Sequence, residues 1–201
     1  MEELPTVSEG AYSLEEVTQR AAKDMNFFAA LAAPLVFKYF FPPVFIAIWN
    51  WVTDKFARIR DFSYLAIGLP RGFGKTFVVK LLILYAIIFT KRRFILIISE
   101  NEAKAISILR DVEDMLDEPN VKAAFGDWSA GVQVNNQTVK IFADRGREII
   151  LKAAGAGTGI RGITEKNARP DLMIFDDIQS REDSESEDSS NKLEAWLYST
   201  A

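Results

Sequence analysis

Two groups of residues have the types and the spacing to do chemistry. The first is Gly74-Lys75-Thr76, near the end of "GLPRGFGKTF", Gly68 to Phe77. A glycine-containing turn that opens a helix points backbone N–H groups at an anion, and the helix N-terminus adds partial positive charge. In such a turn Gly74 lets the backbone come close to a β-phosphate. Lys75 would then reach the β- and γ-oxygens, and the Thr76 hydroxyl would bind Mg²⁺. Pro70, Arg71, Gly72, Phe73, Gly74, Lys75, Thr76 and Phe77 are the candidate binding residues. The loop departs from the usual phosphate-binding pattern at two places. Leu69 stands where a glycine is expected, and Arg71 is a large cation where a plain loop residue would serve.

The second group is Asp176-Asp177, at the end of "PDLMIFDD". An apolar strand ending in acids delivers them to the edge of an α/β sheet where ligands bind. Asp176 is the candidate for holding the water shell of Mg²⁺. Asp177 is the candidate for polarising an attacking water. Asp is one methylene shorter than Glu, and water positioning is sensitive to distance. Glu182 is therefore an alternative for that role. Taken alone, the pair could equally cap the next turn. The upstream loop favours catalysis.

Composition narrows the chemistry. The chain has 201 residues, a formal net charge of −4, and neither cysteine nor histidine. Disulfides, thiolate metal sites and imidazole catalysis are excluded. Carboxylates, Lys, Arg, hydroxyls and backbone amides remain, a set suited to phosphoryl transfer on Mg²⁺. No global positive field draws the chain to nucleic acid, so contact with it requires a local patch. Hydrophobic residues make up 49%, which fits a globular fold. The acidic start "MEELPTVSEG" lacks the order of a secretory signal. Met25 to Thr53 is apolar and aromatic, but Lys38 and Pro42-Pro43 interrupt it. Neither piece reaches the roughly 18 to 20 residues of a membrane span, so it reads as buried helix and loop.

The positioning elements follow from hydrophobic period. Residues 1 to about 20 read as a loosely packed arm, although Ser13 and Glu16 have the spacing of a capping box that starts a short helix. A helix is expected from Val44 to Arg60. A buried strand is expected at Tyr64–Leu69, immediately before the loop, and a buried helix at Lys75–Phe89. Arg92–Ser99 reads as a strand. Ala105, Ile108, Leu109, Val112, Met115 and Leu116 form one stripe of a helix that Pro119 ends. Val132–Ala143 carries a hairpin signal with a turn at Asn135-Asn136. Arg147–Gly155 and Pro170–Asp177 are further strands, and a helix begins at "LEAWLY". The order is that of an α/β protein with a mainly parallel sheet flanked by helices. It divides into a helical segment at 1–60 and a nucleotide-binding core at 61–201.

Together these motifs resemble the ATPase half of phage terminase large subunits, the motors that pump DNA into capsids. "PRGFGKT" looks like the deviant phosphate loop of that family, which carries an arginine before its lysine. "IISENEAKA", "GTGIRG" and "RPDLMIFDDIQSREDSESEDSSNKLEAWLY" resemble its later segments, and the likeness covers about Phe41 to Ala201. The resemblance implies a P-loop NTPase core of the ASCE type, ATP and Mg²⁺ as ligands, and hydrolysis coupled to translocation of double-stranded DNA. It implies a homo-oligomeric ring, a small terminase subunit and a portal as partners, and the cytoplasm of an infected or lysogenic bacterial host. Arg71 would sense the γ-phosphate. Arg161 would reach a neighbouring subunit's ATP as an arginine finger, with Arg169 a competitor for that role. Family members are usually longer and continue into a coupling motif and a nuclease domain, so the chain reads as a fragment or the product of a split gene. Two other readings use the same motifs: a helicase-like ATPase, and a nucleotide-binding assembly module without turnover.

Overall fold

The computed structural model describes residues 13–57, 65–70, 72–160, 162–179 and 186–200. They fall into two compact units, Met1–Lys91 with Val112–Gly131, and Arg92–Asp111 with Val132–Ala201.

The first unit is helical. Helix α1 (Leu14–Lys23) starts at Ser13, whose hydroxyl accepts from Glu16 N at 3.2 Å while the Glu16 carboxylate accepts from Ser13 N at 2.7 Å. This is the capping box that the spacing predicts. Val17 and Ala21 of α1 are buried, so the chain from Ser13 onward packs rather than forming a loose arm. Asp24 ends α1 and caps α2 (Met25–Ala32), accepting from Asn26 N at 2.9 Å and Phe27 N at 3.1 Å. Helices α3 (Pro43–Ala57) and α4 (Lys75–Phe89) follow. Of the aromatic residues in Met25–Thr53, Phe27, Phe28, Phe37, Phe45 and Trp49 are core, whereas Tyr39, Phe40 and Trp51 are exposed. Phe28 is fully buried, with Trp49 at 5.9 Å, Tyr85 at 6.1 Å, Phe89 at 5.6 Å and Phe125 at 6.5 Å between ring centroids. Such ring pairs contribute about 0.5–1.5 kcal/mol each beyond area burial. Among the described residues no helix is long and apolar enough to cross a membrane. Helix α5 (Glu102–Asp117) begins in the second unit and ends in the first. Pro119 stops it and also opens α6 (Pro119–Phe125), where its missing N–H costs nothing.

The expected strand at Tyr64–Leu69 does not form among the described residues. Leu65–Pro70 is irregular, and Ile67 is 39% exposed. An apolar run is only half of a strand. It also needs a partner ladder, and the described sheet provides none for this segment. Gly68 and Pro70 further weaken extended pairing. Tyr64 itself lies outside the described residues.

The second unit carries a five-stranded sheet in the order β2-β3-β4-β1-β5. The strands are β1 (Phe94–Ser99), β2 (Val132–Asn135), β3 (Val139–Asp144), β4 (Arg147–Gly155) and β5 (Leu172–Asp176). β1 pairs in parallel with both β4 and β5, whereas β2–β3 and β3–β4 are antiparallel. The sheet is therefore mixed. Its parallel part is the one that reaches the candidate carboxylates, and the hairpin extends the far edge. The reason lies in the connections. Asn136 accepts from Thr138 N at 3.0 Å and Val139 N at 2.8 Å, and Gly146 adopts φ 76°, so both turns return the chain directly. β1 is buried along its whole length, as expected of a central parallel strand. Its Leu96 and Ile98 pack with Ala154 and Ile160, and Met173, Phe175 and Trp196 close over that cluster. Trp196 belongs to the last helix, α7 (Glu187–Thr200). At the opposite end of the strands Asp171 clips β5 to β1. Its carboxylate accepts from Arg93 N at 2.8 Å and Phe94 N at 3.2 Å, and its carbonyl accepts from Arg92 at 2.7 Å. Lys91, Arg92 and Arg93 thus flank the start of β1.

Candidate functional site

In the first unit, Gly74 is the residue before α4 and has φ 71°, ψ 26°; Gly72 has φ 81°. Both values lie in the left-handed region, which a Cβ disfavours, so this turn needs glycine at these places. It does not need one at Leu69, where the chain is merely irregular. The turn closes on itself, with Lys75 Nζ donating to the Leu69 carbonyl at 3.0 Å. The lysine ammonium thus sits inside the curl of backbone that it terminates. Phe77 N and Val78 N donate to the Gly74 carbonyl at 3.1 and 3.2 Å, and α4 has no acid in its first turn to compete for an anion.

Aromatic rings fix this turn to the helices of the same unit. Phe77, in the first turn of α4, stacks on Phe41 at 6.0 Å and 26°. Phe73, half-exposed at the loop tip, stacks on Phe45 at 6.4 Å and 27°. Phe41 also contacts Phe37 and Phe45, at 5.2 and 5.7 Å. The result is a row of rings beside the loop, in which Phe37 and Phe45 are buried. Arg71 lies outside the described residues.

In the second unit, the carboxyl ends of β4, β1 and β5 are level. Ser99 pairs in register with Asp176 on one side and with Gly155 on the other. Ser99 is buried, and its hydroxyl donates to the Asp176 carbonyl at 2.8 Å. Asp176 ends β5 but is buried, the most enclosed residue of that strand, rather than carried out of the core. Asp177 is exposed and takes φ 49°, a left-handed turn that an acid tolerates better than most side chains. Its carbonyl accepts from Glu100 N at 3.2 Å. Gly155 allows a close approach: a Cβ there would lie 2.8 Å from Glu102 N and 3.2 Å from Asn101 Cα. β4 and the start of α5 are consequently in direct contact.

This edge also holds charged groups that sequence reasoning passed over. Glu100 follows Ser99 and forms an ion pair with Lys104, one turn into α5. The hydrogen bond to Glu100 raises the Lys104 pKa, and the charges of Glu100 and Asp177 add to the effect. The signal was present in the sequence. Glu100 is a carboxylate one residue past an apolar strand, as Asp177 is.

The structure therefore brings Gly72 to Phe77 together in one unit, and Asp176, Asp177 and Glu100 together in the other. Arg161 and Glu182 lie outside the described residues. Arg169 is exposed shortly before β5. Thr76 and Asp176, the donors expected for Mg²⁺, are hard oxygen ligands of the kind that ion prefers. Among the described residues no group of three or more acids or histidines converges as a metal site. Mg²⁺ does not require one, because it keeps several waters and takes substrate phosphates with only one or two carboxylates. No family model and no curated protein matches this chain.

Proposed function

We propose that the chain binds Mg-ATP at Gly72–Thr76 and hydrolyses it, as the ATPase portion of a viral DNA-packaging motor of the terminase kind. The observation that carries this reading is the closed turn at the α4 N-terminus. It combines left-handed Gly72 and Gly74 with Lys75 held on the Leu69 carbonyl. An arriving phosphate would exchange that carbonyl for its own oxygens, a stronger, charge-assisted partner for the ammonium. Thr76, beside the loop, would bind Mg²⁺, which would neutralise the β- and γ-phosphate charge. In the hydrolytic step a water oxygen bonds to the γ-phosphorus while the bond to the bridging oxygen breaks. The electron pair leaves with ADP, and the water proton passes to a carboxylate and then to solvent.

The irregular run Leu65–Pro70 favours a second reading, a nucleotide-binding assembly module without turnover, since among the described residues no strand leads into the loop. Double-stranded DNA, a ring of like subunits, a small terminase subunit and a portal are the partners proposed for the motor. The test is ATPase activity against protein concentration. The motor reading expects specific activity to rise with concentration, and Arg161→Ala to lower it on the order of 10³-fold, as for other arginine fingers. Concentration-independent turnover that Arg161→Ala leaves intact would overturn the ring site. Binding without turnover at any concentration would favour the module.

A further inference from the structure

We infer that the amino ends of the parallel strands in the second unit form a binding surface for the phosphate backbone of double-stranded DNA, with Arg93, Arg145, Arg147, Lys166 and Arg169 as its cations. The inference rests on the motor reading above only in taking DNA as the polyanion; the surface itself follows from charge and strand pairing. Arg92 and Arg93 precede β1, Arg145 and Arg147 bracket the glycine turn into β4, and Lys166 and Arg169 precede β5. These segments lie side by side. The Arg93 carbonyl accepts from Ile150 N at 2.7 Å, and Arg93 N donates to the Asp171 carboxylate at 2.8 Å. Lys166 Nζ reaches the Glu148 carboxylate at 2.6 Å. Neighbouring strands are about 4.8 Å apart, so the cations extend over about 10–15 Å.

Charge in this unit is segregated along the strands. In the segments Arg92–Arg93, Asp144–Glu148 and Lys166–Asp171, six cations stand against three acids, Asp144, Glu148 and Asp171. Those acids are engaged within the fold. Asp144 holds Arg145 at 2.9 Å and Arg147 at 3.2 Å, Glu148 holds Lys166, and Asp171 accepts from the backbone of Arg93 and Phe94. They position the cations without cancelling the positive charge. Arg93 and Arg169 are exposed, and among the described residues neither forms a salt bridge. Arg92 is not counted as a contact, because it donates to the Asp171 carbonyl at 2.7 Å. At the carboxyl ends the balance reverses, and Glu100, Glu102, Asp176 and Asp177 outnumber Lys104. A chain of net charge −4 thus presents the local patch that contact with nucleic acid requires. Arginine predominates in it, and guanidinium meets phosphate with two parallel N–H bonds. A duplex carries a charge about every 1.7 Å of its axis, enough to meet every cation in such a row. Unpaired bases need exposed rings to stack on, whereas Phe94, the aromatic residue at this edge, is buried.

The test uses the full chain without nucleotide, so that it reads independently of ATP hydrolysis. Fluorescence anisotropy of a labelled mixed-sequence duplex is followed against salt. The wild type should bind with a Kd on the order of 10⁻⁶–10⁻⁴ M at physiological salt, and the affinity should fall with salt at a log–log slope of about −0.9 per phosphate engaged. Arg93→Gln combined with Arg169→Gln should weaken binding roughly 10-fold or more and flatten that slope by about 2. Arg145→Gln alone should weaken it less, because that guanidinium is shared with Asp144. Lys104→Gln combined with Lys192→Gln removes the same charge elsewhere in the unit and should leave affinity within about 2-fold, since salt screens distant charges. Thermal midpoints establish that each variant is folded. Patch variants that match the wild type in affinity and salt slope would overturn the inference. So would a wild type that binds no duplex, that prefers the single strand, or that binds vesicles rich in anionic lipid in place of the duplex. A wild type that binds the duplex but no Mg-ATP would overturn the ATPase reading and leave this surface standing.

Discussion

The Ser99 hydroxyl donates to the Asp176 carbonyl oxygen at 2.8 Å, across the carboxyl ends of two parallel strands. The bond ties the acid to the central strand by its backbone rather than by its carboxylate. Asp176 is thereby held at a fixed height by its backbone.

Ser99→Ala should therefore cost stability without removing any charged group. Both residues are buried, so loss of the bond leaves a carbonyl without that donor. The expected cost is about 1–2 kcal/mol. Urea unfolding measures it; an unchanged midpoint would mean that the strand end is held by the ladder alone.

Gly155→Ala tests the close approach of β4 to α5. The added methyl would meet backbone atoms at 2.8 Å, and backbone cannot swing aside as a side chain can. Overpacking of this kind costs roughly 1–3 kcal/mol. Thermal unfolding should show the drop. A neutral substitution would mean that the α5 start shifts freely.

The capping box at Ser13 makes a pH prediction. Hydrogen bonds from the Ser13 backbone and hydroxyl lower the Glu16 pKa in the folded state. A depressed carboxylate contributes stability that is present above its unfolded value, about 4.3. That contribution is lost as pH falls through the folded value. The stability difference between wild type and Ser13→Ala should thus be present at neutral pH and shrink on acidification below the ordinary glutamate range. Thermal midpoints across pH 7 to 3 report it. A difference that does not change with pH would contradict the assignment.

Much of this arrangement is legible in the sequence, for identifiable reasons. Helix α4 forms on the run from Lys75 to Phe89, because an apolar stretch of that length with a glycine before it has few alternatives. Strands β1, β4 and β5 lie within the apolar runs expected for them. The segment 65–70 was not legible, because its apolar residues have the composition of a strand but no partner among the described strands. α2 begins where α1 ends because Asp24 serves both, and a shared cap leaves no polar gap to mark the break. At the candidate site, the glycine turn before α4 and Asp176 announce themselves by local pattern. Glu100 does not. Its relation to Asp177 is one of cross-strand register, and register depends on pairing that one strand's sequence does not contain.

The central claim is that the curl from Leu69 to Thr76 is a nucleotide phosphate site, with Lys75 as its cation. Calorimetric titration of Mg-ATP into wild type and Lys75→Ala tests it most directly. The account predicts saturable binding to the wild type and none detectable for Lys75→Ala, with the variant still folded by circular dichroism. Equal binding by the two proteins would contradict it.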